Sequence, residues 1–206
     1  MYFFKTPFWL KLLYPKRTWA ISTSEKIIYL TFDDGPHPQI TPFVLDLLKQ
    51  YEAKASFFCI GHNVERYPLV YDRILADGHS TGNHTYDHKN GFKTNDEEYL
   101  NDLRKAETWI RSKLFRPPYG RLKWSQARKL KDYRIIMWDL LSGDFDTGLK
   151  KEKCLEMVKK HARPGSILVF HDSEKAWERL EYVLPNMLAY FKQQGYRFEK
   201  IRQEPS

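Results

Sequence analysis

The sequence predicts an α/β domain built on a parallel sheet, and three observations predict it. Apolar strand-like runs alternate with amphipathic helix-like segments from about residue 25 onward, which in one chain means parallel strands joined by helical crossovers, as an open sheet or closed into a barrel. The chain has 206 residues, 42% of them hydrophobic, with 13 Phe, 13 Tyr and 6 Trp, enough for one substantial core and therefore a single domain. Asp33, Asp34, His84, Arg116, Asp144 and His171 each stand at or just beyond the end of an apolar run, and in a β/α barrel those ends face one mouth.

The elements follow in order. The opening MYFFKTPFWLKLLYPKRTWAI is aromatic and basic, its apolar runs are broken by Lys5, Pro7 and Lys11, and no small-residue cleavage site follows. Residues 1–24 therefore read as a strap across the domain and not as a signal peptide, which gives a cytoplasmic expectation. The alternative is an interfacial anchor, with Phe3, Phe4, Phe8, Trp9 and Leu10 in the headgroup zone of a membrane and the protein held peripherally at the envelope. No run approaches the ~20 apolar residues of a spanning helix. Residues 25–206 form the expected catalytic domain. EKIIYLTF reads as a strand before a TPFVLDLLKQY helix, AKASFFCIG as a strand before a YPLVYDRILADG helix, and GHSTGNH as a strand into a turn. NDEEYLNDLRKAETWIRSKL reads as a long helix, LFRPPYG as a short strand and loop, and RIIMWDLLSGDF as one strand running into a loop. KKEKCLEMVKKHA is a helix stopping before Pro164, SILVFHD a strand, and AWERLEYVLPNMLAYFKQQ a last helix with Pro185 a kink or break.

Charge and cysteine content exclude more than they assign. The balance of 34 basic against 26 acidic residues gives +8, but the charge is scattered, only Lys150, Lys151 and Lys153 cluster, and no nucleic-acid motif accompanies it, so nucleic acid is not an expected partner. Cys59 in SFFCIG and Cys154 on an amphipathic segment read as buried or half-buried free thiols.

The chemistry starts at YLTFDDGPHP. Successive strand residues point to opposite faces, so two adjacent acids require that the chain turn there or that the interior hold a cation. An Asx-type turn before Gly35 is the bland explanation. His84 and His88 lie at i, i+4, which puts both imidazoles on one side of a helical turn, close enough to share a divalent metal. Alone, that pair fits two surface histidines equally well. Asp34 completes a two-His, one-carboxylate set of the kind a hydrolytic metal site needs, and Asp33, uncoordinated, is then free to accept a proton.

TFDDGP, HTYDH, RPPYG, SGDF and LVFH, in this order and spacing over roughly residues 25–200, resemble the five motifs of the polysaccharide deacetylases, carbohydrate esterase family four, the nodulation-protein-B homology domain. The resemblance implies a distorted (β/α) barrel of about seven strands and a metal-dependent hydrolase that removes N-acetyl groups from a glycan. The metal it implies is Zn2+, with Co2+, Ni2+ or Mn2+ as alternatives. By position, Asp33 matches the general base, Asp34, His84 and His88 the metal ligands, and Arg116 the arginine that pairs with the base. The Tyr119 amide matches an oxyanion donor, His171 the general acid, and Asp144 the carboxylate that tethers it.

Two motifs depart from the family pattern. Leu141 stands where the fourth motif carries its first Asp and Phe145 where it carries Trp, and Val169 replaces a Leu in the fifth. Phe145 and Val169 are expected along the apolar wall near the acetyl group, so the departures bear on substrate and not on proton transfer; Asp139 lies two residues before Leu141 without an assigned role. His79 is expected to be a strand residue with a hydrogen-bonded ring, His37 a neighbour of the site, and His62 and His161 surface residues. Rival readings are an amidase or acetyl esterase of the same fold acting on a non-polymer substrate, and an inactive carbohydrate-binding or scaffold protein. The retention of both Asp33 and His171 argues against the latter.

Overall fold

The computed structural model describes residues 2–203, so the outermost residues of the two expected segments, 1 and 204–206, lie outside the described residues. In chain order the elements are α1 (Phe8–Leu13), β1 (Ile27–Asp33), α2 (Ile40–Gln50), β2 (Ser56–Cys59), α3 (Gly61–Arg66), α4 (Pro68–Ala76), β3 (Ser80–Asn83) and α5 (Asp96–Glu107). They continue with β4 (Leu114–Phe115), α6 (Trp124–Lys129), β5 (Arg134–Ile135), β6 (Leu140–Leu141), α7 (Lys151–His161), β7 (Ile167–His171), α8 (Trp177–Gln193) and β8 (Arg197–Glu199).

Seven strands pair in the order β5-β4-β3-β2-β1-β7-β6, all parallel, and β8 adds to the start of β1. The sheet curls into the distorted barrel expected. Every residue of β1 except Tyr29 is buried, since β1 is central and covered on both faces, where polar alternation disappears. Phe32, Phe57 and Phe170 stack in the layer between sheet and helices, with centroids 5.0 and 5.9 Å apart. Val44, Leu45 and Leu48 of α2 and Leu180, Val183, Leu184 and Met187 of α8 close over them.

Three expectations are corrected. RIIMWDLLSGDF is not one strand: Arg134–Ile135 at its start and Leu140–Leu141 within it form β5 and β6 on opposite edges of the sheet, and two-residue strands carry no alternation to read. Of the kink or break expected at Pro185, the break does not occur, because α8 runs through it; the buried residues on either side outweigh the ~3 kcal/mol that a helix-interior proline costs. The helix from Asn95 ends at Glu107, after which Ile110 is buried in the core. At its start, Asn95 accepts the Glu98 amide at 2.9 Å and Asp96, Glu97 and Glu98 face the positive end of the helix dipole. Elements α1, α3, α6 and β8 are additions to the sequence reading.

The strap closes the gap between the two sheet edges. Lys5 bridges Leu140 antiparallel and Thr18 bridges Ile136 parallel, so the N-terminal segment spans what β5 and β6 leave open. Cys59 and Cys154 are buried free thiols, as expected.

Candidate active site

Asp33 ends β1 level with Phe58 of β2 and His171 of β7, so register alone brings a carboxylate and an imidazole of neighbouring strands to the same end of the sheet. The strand runs through Asp33, one residue further than its apolar run, and Asp34 then adopts φ 80°. This left-handed turn sends the second carboxylate toward the same mouth as the first. Asp172 holds the turn: its Oδ1 accepts the Gly35 amide at 3.1 Å and its Oδ2 accepts the Thr41 hydroxyl. A Cβ on Gly35 would lie 2.1 Å from Asp172 Oδ2, which is why the residue after the two acids carries no side chain. Burial pushes the Asp172 carboxyl up to about 8, against the hydrogen bonds it accepts.

His84 and His88 occupy a loop and not the helical turn that their spacing suggested. Thr85 and His88 take φ 63° and 54°, conformations that an α-helix does not contain. The loop is built by side-chain acceptors: Asp102 of α5 receives the Tyr86 and Asp87 amides at 2.9 and 3.1 Å, Asn83 receives that of Thr85, and the Thr85 hydroxyl that of Lys89. The result still presents the two rings together, 5.0 Å between centroids.

These rings meet Asp34. One ligand atom from each of Asp34, His84 and His88 lies within 4.8 Å of the other two, with His88 Nε2 3.3 Å and His84 Nε2 3.8 Å from Asp34 Oδ1. The Arg116 carbonyl can only accept, so His84 Nδ1 carries the proton in their 2.7 Å hydrogen bond, leaving a lone pair on Nε2. Burial lowers the pKa of His84 well below the ordinary value, aided by His88, and lowers that of His88 as well, although Asp34 opposes it in both. Two neutral imidazoles directing lone pairs at a carboxylate oxygen fit a divalent cation.

Arg116 is fully buried and directs its guanidinium at fixed acceptors: Asp33 Oδ1 at 2.6 Å, Thr31 Oγ1 at 2.8 Å, the Met137 carbonyl at 2.9 Å and the Ile136 carbonyl at 3.2 Å. Burial lowers its pKa and the Asp33 charge pulls the other way. Asp33 is thereby locked through one oxygen, and the other is left for the cavity that Asp33 lines.

His171, the register partner of Asp33 on β7, belongs to a second pair. Asp144 is fully buried and gives both oxygens to His171, Oδ1 to Nδ1 at 2.8 Å and Oδ2 to the backbone amide at 2.7 Å. Arg179, from α8, donates to the Asp144 carbonyl at 2.8 Å and holds the loop. Burial on its own lowers the His171 pKa, but the charge and hydrogen bond of Asp144, with Asp34 and Asp33 behind them, raise it to about 9. With Nδ1 engaged, Nε2 is the nitrogen available to the cavity.

The cavity measures about 460 Å³ and brings together Asp33, Asp34, His84, His88, Tyr119, Phe145, Val169 and His171, with Leu141 in the same lining. Tyr119 takes φ 58° within a 3-10 turn, its ring 4.6 Å from that of His88. Sequence reasoning missed Tyr2 and Trp138 in this cavity, and Asp172 and Arg179 behind it; only Asp172, next to His171, offered a local signal. Asp139 does not enter the site. It receives Lys5 and Lys11 of the strap, each at 2.5 Å, and Ser166 at 2.6 Å. His79 has the hydrogen-bonded ring expected of it, Nδ1 accepting the Ala55 amide at 3.2 Å. His37 Nδ1 accepts the Ile40 amide at the start of α2. His62 is exposed and His161 partly exposed. A second hollow of about 600 Å³, lined by Tyr71, His79, Trp109, Arg111 and Lys200 among others, has no carboxylate among the described residues of its lining.

Residues 20–136 match the profile of the family described as Polysaccharide deacetylase. The chain belongs to the polysaccharide deacetylase family. The matched span of this deacetylase carries Asp33, Asp34, His84, His88, Arg116 and Tyr119. The deacetylase is 37% identical over 192 residues to a peptidoglycan-N-acetylglucosamine deacetylase of Bacillus cereus, covering 89% of this chain and 90% of that one. It is 34% identical to a chitooligosaccharide deacetylase of Azorhizobium caulinodans, over 74% and 76% of the two chains. In three dimensions it superposes on the crystal structure of a peptidoglycan N-acetylglucosamine deacetylase in complex with an N-oxidanyl-benzamide, with a TM-score of 0.82, 30% identity, and 97% and 100% of the two chains covered.

Proposed function

We propose that this polysaccharide deacetylase hydrolyses N-acetyl groups on amino sugars of a peptidoglycan- or chitooligosaccharide-type glycan. The observation that carries the reading is one cavity lined by Asp33 and His171, each held by a buried partner of opposite charge, Arg116 and Asp144, together with Asp34, His84 and His88. Environments that separate a base from an acid are what hydrolysis of an amide needs. Relatives named as peptidoglycan and chitooligosaccharide deacetylases support the substrate class.

Asp34, His84 and His88 are the ligands in this reading, with zinc the metal and cobalt, nickel or manganese the alternatives. When bound, a divalent cation supplies Lewis-acid activation. Asp33, immobilised by Arg116, takes the proton from the attacking water as its oxygen forms the new bond to the acetyl carbon. The Tyr119 amide donates to the developing oxyanion, a contribution on the order of 3 kcal/mol for a well-placed donor. His171 delivers its Nε2 proton to the leaving nitrogen as the C–N bond breaks, so the products are acetate and a free amine. A neutral leaving amine is what makes the acid necessary, because an amide anion is far too poor a leaving group. Phe145, Val169 and Leu141 form the apolar wall for the acetyl methyl.

Metal-loaded protein is expected to release acetate from N-acetylated chitooligosaccharides or peptidoglycan, to lose that activity to a chelator, and to regain it with Zn2+. Release from O-acetylated glycans alone would overturn the N-acetyl assignment.

We also propose a peripheral contact with an anionic membrane face as the place of action. No helix among the described residues is long and apolar enough to cross a membrane. Phe8, Trp9, Leu12 and Leu13 of α1 are all more than half exposed, and Lys16, which follows, is exposed too, a combination suited to a headgroup zone. The protein is expected to sediment with anionic vesicles and not with zwitterionic ones, and Trp9→Ser with Leu12→Ser to abolish this; equal recovery of parent and variant would exclude the contact.

A further inference from the structure

The N-terminal segment reaches the catalytic cavity by a route that its sequence does not announce. Leu141 donates its amide to the Phe4 carbonyl at 2.8 Å, Thr6 donates to the Asp139 carbonyl at 2.9 Å, and the Thr6 hydroxyl donates to the Trp138 carbonyl at 2.7 Å. The Phe4 ring packs over Gly143, where a Cβ would lie 2.6 Å from it. Lys5 and Lys11 converge on one buried carboxylate, that of Asp139. A segment held by this many directional contacts limits where the residue two positions before Phe4 can lie.

That residue is Tyr2. Its ring packs on Phe145 with centroids 4.9 Å apart, and Phe145 in turn meets the His171 ring edge-on at 5.2 Å. Its hydroxyl donates to Asp146 at 2.9 Å, two residues from the carboxylate that tethers His171. Tyr2 lines the same cavity as Asp33, Asp34 and His171. The nitrogen that His171 protonates is borne by a pyranose ring in the proposed reaction, so that sugar must stand beside His171, where Phe145 and Tyr2 make the wall. Phe145 is smaller than the tryptophan of the family motif, and the Tyr2 ring stands against it.

We infer that Tyr2 is a substrate-binding residue of the deacetylase: together with Phe145 it forms an aromatic platform for the apolar C–H face of the amino sugar that bears the acetamide. Asp139 is the positioning residue that keeps the platform in place through Lys5 and Lys11. Apolar and aromatic walls with a few directed polar groups are how such cavities hold ligands in one orientation. The platform acts on binding and not on proton transfer, because the Tyr2 hydroxyl is engaged with Asp146 and none of its atoms belongs to either proton-transfer pair. This inference rests on the N-acetyl glycan reading above.

The test is steady-state kinetics of the metal-loaded full chain on N-acetylated chitooligosaccharides, for the parent, Tyr2→Ala, Tyr2→Phe and Asp139→Asn. Tyr2→Ala is expected to raise KM about tenfold with kcat changed by less than about threefold, the size of effect one lost aromatic contact produces. Tyr2→Phe keeps the ring and is expected to restore KM to near the parent value. Asp139→Asn is expected to raise KM similarly, and the double variant with Tyr2→Ala to be no worse than either, because both changes remove the same contact. A KM for Tyr2→Ala equal to that of an active parent overturns the inference, as does a Tyr2→Phe variant as impaired as Tyr2→Ala. A parent inactive on every N-acetylated glycan refutes the functional reading instead, and the two failures are thereby distinguished.

Discussion

Asp33→Asn is expected to lower kcat about a thousandfold, the scale of a lost general base, while the protein still takes up one equivalent of metal. Asp34→Asn is expected to lose metal and activity together. The two side chains are adjacent in sequence, so the contrast comes entirely from the backbone: Asp33 sits in β1 with an oxygen locked 2.6 Å from Arg116, whereas Asp34, at φ 80°, faces His84 and His88. Asparagine at 33 retains an oxygen to accept from Arg116 but carries no charge to offset the buried guanidinium, so a loss of stability of about 3 kcal/mol accompanies the kinetic loss. Thermal melting should therefore be recorded beside metal content and kcat. Equal metal loss in the two variants would refute the division of labour between the acids.

The second large effect concerns the acid. In Asp144→Asn the basic limb of the kcat/KM profile is expected to move to lower pH by roughly one unit or more. The sign follows from the pair: in the proposed mechanism the acid works only while His171 is protonated, and Asp144 holds the His171 pKa up at about 9 against a burial that by itself would lower it. Removing the charge leaves burial in control, the imidazole gives up its proton sooner as pH rises, and activity on the basic side falls about tenfold for each pH step the limb moves. Asparagine also cannot serve both contacts, since its NH2 group would face either Nδ1 or the His171 amide, two sites from which Asp144 now accepts. His171→Ala should remove the basic limb altogether. A basic limb that stays in place in a folded, metal-loaded Asp144→Asn would show that the contact is structural only.

Much of this site is legible locally because most of its members stand at the end of an apolar run: the strand burial of β1, Tyr29 apart, also delivers Asp33 to the rim, and Ile167 to Phe170 do the same for His171. The i, i+4 spacing of His84 and His88 led to the right neighbours through the wrong local geometry. A helical turn and a loop with two left-handed residues both bring such side chains together, and what selects the loop is Asp102, whose side chain captures two of its amides from another element. Asp139 and Tyr2 carry no such signal. A buried aspartate just before β6 has no evident role until the two lysines it receives are seen to come from residues 5 and 11.

The sequence by itself determined the alternation of strands and helices, the buried centre of the sheet, the identity of Asp33, Asp34, His84, His88, Arg116, Asp144 and His171, and the placement of Asp33 and His171 at strand ends, because these depend on burial of a run of neighbouring residues and on the chemistry of one side chain. Tertiary structure alone decided that Arg134 to Leu141 splits into two edge strands, that the N-terminal segment spans the gap between them, and that Tyr2 lines the same cavity as Asp33, Asp34 and His171. Those outcomes depend on which sheet edges are left unpaired once the barrel has curled. An open edge is satisfied by whatever backbone can reach it, a property of the assembled sheet that no window of neighbouring residues contains.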